Sequence, residues 1–263
     1  MTNVNYFKTE VSNQVARITL SHPPFNGMNP DFMEALSANL DELKAASAST
    51  RPRVLVLQSE VENQFCSGMD PSYFVNADLD ERKRIFLGLG EMIESFYKFG
   101  IPIISVVSGP ALAGGAVLAL LGDVILMDAT KGNICFSEVK VGLPLPKFIQ
   151  DLIAFKVGQS NLFQVGLLAK NVGPELALSM QLADALYQNE QESQKLVIEN
   201  CEKFMRLPAA VVSQSLWELK EPLLESKVDF LNSFDDSFAP FLTDQFLGKG
   251  LKALLKGERP DWS

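Results

Sequence analysis

The spacing of apolar residues divides the chain into two parts. Before about residue 145, short apolar runs alternate with stretches in which apolar side chains recur every three or four positions, the spacing of one helical face. The runs predict strands at 15–20, 54–57, 101–107 and 123–127. The stretches predict helices that begin at Asn29-Pro30, that include 85–96 and that cover 113–121. This order of strands and helices predicts parallel βαβ units.

From about Phe148 onward only the helical spacing remains. It predicts helices at 148–155, 174–182, 191–205, 208–219 and 238–255. No internal repeat, long linker or low-complexity tract interrupts the sequence. We therefore expect an α/β core over residues 1–200 and a helical region over residues 201–263, which packs on the core or reaches out from it.

The composition excludes several classes of protein. Of the 263 residues, 47% are apolar and 21% are charged, which is ordinary for a folded domain and excludes a disordered or fibrous chain. The net charge of −9 makes nucleic acid and anionic membranes poor partners. No apolar run approaches the roughly 20 residues of a membrane span, and the first residues lack a secretory signal, so we expect a cytoplasmic protein.

The residues that bind metals or act as strong nucleophiles are few. The chain has one histidine, His22, and three cysteines, Cys66, Cys135 and Cys201, without CxxC spacing. This inventory indicates a reducing compartment and argues against a metal site and against Ser-His-Asp catalysis. We interpret His22 as a surface or hydrogen-bonded residue and Cys66 as a small inert one.

Two glycine loops are the first candidates for chemistry. They follow predicted strands and read QFCSGMD at 64–70 and SGPALAGGA at 108–116. Glycine lets adjacent backbone N–H groups face a ligand, and Gly114 and Gly115 precede an apolar helix whose free N–H groups would point into a pocket. The plain alternatives are an ordinary strand-to-helix turn and close packing of a helix on a sheet.

A third segment places a carboxylate among apolar residues. Glu138 lies near Phe136, Val141 and Leu143 in the sequence. Desolvation in such surroundings raises the pKa of a carboxyl group, which suits a general base near neutral pH. The alternative is that Glu138 points outward and pairs with Lys140.

These segments, in their order and spacing, resemble the crotonase superfamily, also called the enoyl-CoA hydratase/isomerase family. The matching stretches are ARITLSHPPFNGMNPDFMEAL, FCSGMD, GPALAGG, FSEVKVGLPLP and GLKALLKGERPDW, so the resemblance covers nearly the whole chain. It implies an α/β spiral of ββα repeats with a helical C-terminal trimerisation region, assembled as a homotrimer or a dimer of trimers. It also implies an acyl-CoA thioester substrate, with coenzyme A as part of that substrate and no separate cofactor or metal.

The resemblance assigns roles to individual positions. Two backbone N–H groups of the family form an oxyanion hole for the thioester carbonyl, and by position these belong to Met69 and Gly114. Glu138 aligns with a catalytic carboxylate, after one extra residue in the preceding turn. The implied substrate-binding positions are Gly27, Cys66, Ser67, Gly68, Asp70, Leu112, Gly115 and Val117.

Three departures from the family pattern bear on the activity. Family hydratases carry a second glutamate where this chain has Val117, which cannot transfer a proton. Ser137 replaces a proline of hydratases, and Ala113 replaces the first of three glycines. One carboxylate beside an apolar neighbour favours moving a proton over adding water. Family Δ3,Δ2-enoyl-CoA isomerases share this arrangement, and SEVKVGLPLP is similar to the plant-type peroxisomal members.

The sequence therefore predicts an isomerase that moves a double bond of an acyl-CoA from position 3 to position 2. Two alternatives stay open. One is another enzyme of the same fold, either a hydratase with relocated water handling or a polyketide-pathway decarboxylase. The other is a non-catalytic acyl-CoA-binding protein.

Four further polar residues lie near these motifs. We expect Asp70 to cap the following turn or to form an ion pair. Lys249, Lys252 and Lys256 step along a predicted helix and form a solvated face, although the family commonly places C-terminal basic groups near the phosphates of coenzyme A.

Overall fold

A computed structural model of the protein describes residues 5–47 and 49–262. The strands are β1 (Phe7–Ser12), β2 (Val15–Leu20), β3 (Val54–Ser59), β4 (Ile103–Val107), β5 (Pro110–Leu112), β6 (Val124–Asp128), β7 (Asn133–Cys135) and β8 (Ala185–Tyr187). The main sheet has the order β1-β2-β3-β4-β6-β8, and β5 pairs with β7. All neighbours are parallel except β1 and β2. The four strands predicted from the sequence and their parallel arrangement are therefore confirmed, with ends that differ by one or two residues.

The helices complete the βαβ units. They are α1 (Pro30–Ala45), α2 (Pro71–Asn76), α3 (Leu79–Phe99), α4 (Gly114–Leu120), α5 (Lys147–Val157), α6 (Gln159–Leu162), α7 (Pro174–Ser179), α8 (Glu190–Met205), α9 (Ala209–Asn232), α10 (Phe234–Ser237) and α11 (Lys249–Leu255). The predicted start of α1 is confirmed: the Asn29 side chain accepts a hydrogen bond from the Phe32 N–H at 2.8 Å, with Pro30 at the first position.

The spiral of ββα repeats implied by the resemblance is present. After β2, β3, β4 and β6, the chain forms a short extended segment before the next helical segment. These segments line up as a second layer through the bridges Met28–Met69 and Cys66–Ala111 and through the β5–β7 pair. The loops that carry the candidate chemistry are therefore neighbours in this second layer.

The main sheet is covered on both faces, as the continuous apolar run at 54–57 predicts. Leu55 and Leu57 belong to the large core that also contains the apolar faces of α1 and α3. Val54 and Val56 point the other way, into a smaller core with Val197 of α8. The boundary predicted between residues 200 and 201 falls inside α8 and stays a prediction.

The expectation of helices alone after Phe148 is wrong. Strand β8 pairs in parallel with β6, with Leu126 opposite Ala185 and Asp128 opposite Tyr187. Three residues are too few to show the alternation that marks a strand, so the pairing is decided by the exposed edge of β6 rather than by local pattern. Strands β1, β5 and β7 and helix α2 were likewise not predicted.

Two predicted C-terminal helices also differ from the structure. The helix expected at 208–219 continues through Pro222 to Asn232 as α9. Two buried lysines hold α9 on both sides of that proline through ion pairs, Lys220 with Asp123 at 2.7 Å and Lys227 with the partly exposed Glu94. The helix expected at 238–255 is instead broken into α10, a 3-10 turn (Ala239–Leu242), a π turn (Asp244–Gly248) and α11.

Arg82 attaches this broken segment to α3. Only 5% of Arg82 is exposed, and its guanidinium donates to the Phe74 carbonyl at 3.2 Å, the Leu242 carbonyl at 2.8 Å and the Asp244 carboxylate at 2.9 Å. One side chain therefore joins α2, α3 and the segment that leads into α11. Within the described residues, no helix has the length and apolar character needed to cross a membrane.

We expect Arg82→Met to lower the free energy of unfolding by about 2–4 kcal/mol, because two buried carbonyls lose their donor together with a charge-assisted bond. Urea titration followed by circular dichroism measures the change. The matched control is Lys83→Met, which removes the neighbouring exposed ion pair with Asp235 and should have a much smaller effect. Equal losses in the two variants would contradict this role of Arg82.

Candidate active site

The two glycine loops, at 64–70 and 108–116, pack against each other with their backbones in contact. Gly68 has φ +78°, and a Cβ added to it would lie 2.5 Å from the Leu112 carbonyl oxygen and 2.8 Å from the Gly114 nitrogen. A Cβ on Gly115 would lie 2.1 Å from the Cys66 carbonyl oxygen. The Leu112 N–H donates to that same oxygen at 2.9 Å. Glycine is therefore required on both loops for them to come together.

The two predicted N–H donors belong to Met69 and Gly114, one on each loop. Met28 donates to the Gly68 carbonyl at 2.8 Å and accepts from the Asp70 N–H at 2.9 Å, so the Met69 N–H points away from this pairing. Gly114 is the first residue of α4, where no acceptor exists within the helix. Within the described residues, neither N–H finds a protein acceptor. Two unpaired donors on touching loops are suited to holding one oxygen atom that carries negative charge.

The residue before Gly114 is strained. Ala113 has φ +48° and ψ −120°, a conformation that glycine adopts easily and that costs other residues about 1–3 kcal/mol. Alanine in place of the first glycine of the family pattern therefore adds strain to the backbone at this position. The hydrogen bond from the Ala113 N–H to the Cys135 carbonyl, 2.8 Å long, helps to hold it there.

Both donors line a cavity of about 100 Å³ together with Glu138. The predicted residues in its wall are Ser67, Met69, Gly114 and Glu138. The wall also contains residues that the sequence analysis did not assign to the site: Pro71, Phe74, Phe86, Leu89, Ala113, Ser137, Val141, Leu143, Leu247, Leu251 and Leu254. Glu138 is the only titratable side chain among these lining residues, so the cavity is apolar with a single acid.

Glu138 begins a 3-10 turn (Glu138–Val141) that is separated from β7 by two residues. Its Oε2 atom is buried without a hydrogen-bond partner in the described part of the chain. Burial raises the pKa of Glu138 to about 7, and the hydrogen bond from its own backbone N–H opposes this in part. The predicted raised pKa is therefore confirmed, whereas the outward pairing with Lys140 is absent among the described contacts.

The remaining predicted residues lie behind or beside the cavity. Gly68, Gly115 and Leu112 form the contact between the two loops. Gly27 lies against Asp70, since a Cβ added to Gly27 would lie 3.5 Å from the Cβ of Asp70. Val117 is fully buried in α4 and does not line the cavity. These positions therefore shape the site, and their contact with a substrate stays a prediction.

Three of the plain interpretations agree with the structure. Asp70 caps α2 by accepting from the Ser72 N–H at 2.8 Å. Cys66 is fully buried, and burial raises the pKa of its thiol to about 12, so it is neutral at physiological pH. His22 is half-buried, with its Nδ1 atom 3.3 Å from the Gly27 carbonyl oxygen.

Asn26 is a positioning residue that the sequence analysis missed. It is fully buried with φ +50°, and its side-chain amide donates to the Ser59 hydroxyl at 2.8 Å and to the Phe65 carbonyl at 2.7 Å. Its backbone carbonyl accepts from the Cys66 thiol at 3.1 Å. The Asn-Gly pair at 26–27 is the signal that could have indicated this turn.

Three lysines lie on the exposed side of α11, two within the helix and the third, Lys256, directly after its last residue. Lys249, Lys252 and Lys256 are exposed, and Lys249 lies 5.7 Å from the Trp262 ring centre. The opposite face of the same helix contributes Leu251 to the cavity wall. The basic side chains are therefore on the element that closes the cavity.

Comparisons with known proteins show which family the sequence matches. The enoyl-CoA hydratase/isomerase family matches residues 10–263. Enoyl-CoA delta isomerase 2, peroxisomal, from Arabidopsis thaliana is 28% identical over 183 residues, which is 66% of this chain and 74% of the relative.

Two solved structures share the fold. Human mitochondrial delta3-delta2-enoyl-CoA isomerase superposes with a TM-score of 0.89 at 18% identity, covering 96% of this chain and 98% of the other. An enoyl-CoA hydratase from Bacillus halodurans gives a TM-score of 0.84 at 18% identity, with coverage of 95% and 100%. The crotonase fold is confirmed, and a likeness at this identity does not separate an isomerase from a hydratase.

The raised pKa of Glu138 predicts a pH-dependent cost to stability. Between pH 4.5 and about 7 the folded chain retains a proton that the unfolded chain loses, so stability falls as the pH rises through this range. Glutamine does not titrate. The unfolding free energy of Glu138→Gln relative to the parent should therefore increase by about 2–3 kcal/mol between pH 4 and pH 8.

Urea unfolding at the two pH values measures this difference. Glu34→Gln, at an exposed position on α1, is the matched control. For Glu34→Gln the difference from the parent should be nearly the same at pH 4 and pH 8. If the difference between Glu138→Gln and the parent is also the same at both pH values, Glu138 is not buried as described.

Proposed function

The chain belongs to the enoyl-CoA hydratase/isomerase family, and on that basis we propose that it is an enoyl-CoA isomerase that moves a double bond from position 3 to position 2. The observation that carries the proposal is the pairing of one buried carboxylate with two free N–H groups around one apolar cavity. A thioester is the group that such a site suits, because its carbonyl oxygen gains charge when a neighbouring carbon loses a proton.

The proposed reaction needs one base that removes a proton from the substrate and then returns it to another carbon. The Glu138 carboxylate takes a proton from C2 of the 3-enoyl thioester, and the electron pair moves into the conjugated system as the carbonyl oxygen becomes negative. The Met69 and Gly114 N–H groups donate to that oxygen. The same carboxyl group then returns the proton to C4, which leaves the double bond at position 2. A pKa of about 7 lets Glu138 both accept and return a proton near neutral pH.

The absence of a second acid in the wall favours isomerisation over hydration. A water molecule held at a buried site needs about two to four polar partners. Apart from Glu138, the polar side chains of the lining residues are the hydroxyls of Ser67 and Ser137. Val117, at the position of the second hydratase glutamate, is fully buried and supplies no polar group.

The substrate would place its coenzyme A moiety outside the cavity. We assign Lys249 and Lys252 of α11, and Lys256 directly after it, to its phosphates, since all three are exposed on or beside the element that closes the cavity. No further cofactor enters the proposed reaction. Cytoplasmic localisation stays a prediction, because the Arabidopsis relative is named peroxisomal and the human structure mitochondrial.

Oligomer formation also stays a proposal. Large exposed apolar side chains recur between residues 155 and 178, namely Phe155, Phe163, Leu167, Leu168 and Leu178. Apolar surface concentrated in this way is typical of a protein–protein contact.

We expect Glu138→Gln to lower kcat for 3-enoyl-CoA isomerisation by about 10²–10⁴ with little change in KM, because glutamine keeps the shape but accepts no proton. In the parent enzyme kcat should rise with pH through about 7, as the carboxyl group ionises. Ultraviolet assay of the conjugated product measures both. A variant rate within tenfold of the parent would remove Glu138 from the reaction.

Gly114→Val is the companion variant for the proposed oxyanion hole. A Cβ there meets Met28 Sδ at 3.4 Å and Met69 Cε at 3.7 Å, so a branched side chain would crowd the space in front of the free N–H groups. Catalysis and thioester binding should then weaken together, in contrast to the effect of Glu138→Gln. Unchanged kinetics in a folded Gly114→Val protein would place the second donor elsewhere.

The ratio of two products separates the isomerase from the hydratase. We expect double-bond migration in 3-enoyl-CoA to be far faster than formation of 3-hydroxyacyl-CoA from 2-enoyl-CoA. Chromatography of both products with the parent enzyme measures the ratio. The variant Val117→Glu is a less direct test, because Val117 is buried and a glutamate there would also carry the cost of burying a charge. Faster hydration would replace the isomerase proposal by the hydratase.

Light scattering tests the oligomer. The chain mass is 29.0 kDa, and we expect three or six times that mass in solution. Phe163→Asp, at a position that is 58% exposed, should shift the protein toward the monomer without unfolding it. A parent protein that runs only as a monomer would contradict the proposal.

A further inference from the structure

A second cavity, of about 620 Å³, lies at the edge of the sheet opposite the candidate active site. The active-site loops follow the carboxyl ends of β3 and β4, whereas this cavity is lined by the residues that precede those strands. The end of α3 and the first turns of α9 complete its wall. Its size is typical of a small-molecule site.

The charge of this cavity is opposite to that of the protein. Its described lining contains Lys44, Arg51, Arg53 and Lys98 and no aspartate or glutamate, in a chain of net charge −9. Two of the four cations are engaged: Lys44 donates to the Lys98 carbonyl at 2.8 Å, and Lys98 pairs with Glu94 at 2.5 Å. Lys44 thus satisfies a carbonyl at the end of α3, and Lys98 is neutralised by a carboxylate of the same helix.

The two arginines have no acidic partner among the described residues. Arg53 donates from one terminal nitrogen to the Leu207 carbonyl at 2.6 Å, and its Nε atom is buried without an acceptor. The charge of this guanidinium is therefore not neutralised by any carboxylate of the described residues, and only one of its terminal nitrogens is used by the protein. Arg51, two residues earlier, is exposed at the rim. A guanidinium group matches the geometry of a carboxylate or a phosphate.

Aromatic side chains form the rest of the cavity. Trp217 of α9, Phe99 of α3 and Phe204 of α8 line it. Trp217 is half-buried and lines the cavity, so part of its side chain is accessible from it. The cavity therefore joins an apolar aromatic floor to a cationic rim.

We propose that this cavity is a second ligand site, for an organic anion in which an apolar body carries one carboxylate or phosphate group. Arg51 and Arg53 hold the anionic group, and Trp217, Phe99 and Phe204 hold the apolar body. The site is independent of the proposed isomerase reaction, because it shares no lining residue with the active-site cavity.

Fluorescence of Trp217 tests the proposal. The chain has two tryptophans, so Trp262→Phe leaves Trp217 as the reporter. Octyl phosphate and octanoate are the probes, and octanol supplies the same body without charge. We expect at least one anion to shift the Trp217 emission saturably and octanol to leave it unchanged at the same concentration. Binding of octanol as tight as that of the anions, or no saturable response to either anion, would overturn the proposal.

Charge reversal at the rim is the second test. In the same background, Arg51→Glu should weaken binding of the anion at least tenfold. Arg84→Glu makes the same change of charge at an exposed position on α3, about 21 Å along the helix from Lys98, and should change it less than twofold. Arg53→Lys keeps the charge but removes the planar guanidinium that can donate two parallel hydrogen bonds, and should weaken binding about three- to tenfold. Equal effects of Arg51→Glu and Arg84→Glu in folded proteins would show general charge attraction and overturn the site.

Discussion

The close approach of two loop backbones is the constraint on which the rest of the site depends. Gly68 and Gly115 lie where any side chain would meet the backbone of the other loop, at 2.5 Å and 2.1 Å respectively. This contact places the Met69 and Gly114 N–H groups on one cavity, and hydrogen bonds of the second layer hold it. The parallel sheet contributes by bringing the carboxyl ends of β3 and β4 to the same edge. Chemistry that needs two fixed donors thus follows from a packing requirement met by glycine.

Those parts of the fold that are encoded locally could be predicted from the sequence. The apolar runs of β2, β3, β4 and β6 and the cap of α1 depend on residues adjacent in the chain, and each was found within two residues. Strand β8 could not be found in this way, because three residues pair only where the edge of β6 is available. The path of α9 through Pro222 is likewise set by partners distant in sequence, Asp123 and Glu94.

The same distinction applies to the candidate site. The glycine loops and Glu138 are visible in the sequence because their residue types are unusual for their surroundings. The cavity wall is not, since Phe86, Leu89 and Leu251 look like ordinary core residues of amphipathic helices. Asn26 and Arg82 are polar residues that the fold buries and surrounds with backbone carbonyls from other segments. Such roles are decided by tertiary partners and leave no local pattern.

The span of the cavity wall, from Ser67 to Leu254, has a consequence for folding. These residues are far apart in the chain, so the cavity exists only when the C-terminal segment has packed on the core. A partly folded chain that has its sheet but not its C-terminal segment has no binding site. A ligand of this cavity therefore stabilises the complete native state alone, by mass action. The supply of ligand and the yield of folded protein are in this way coupled.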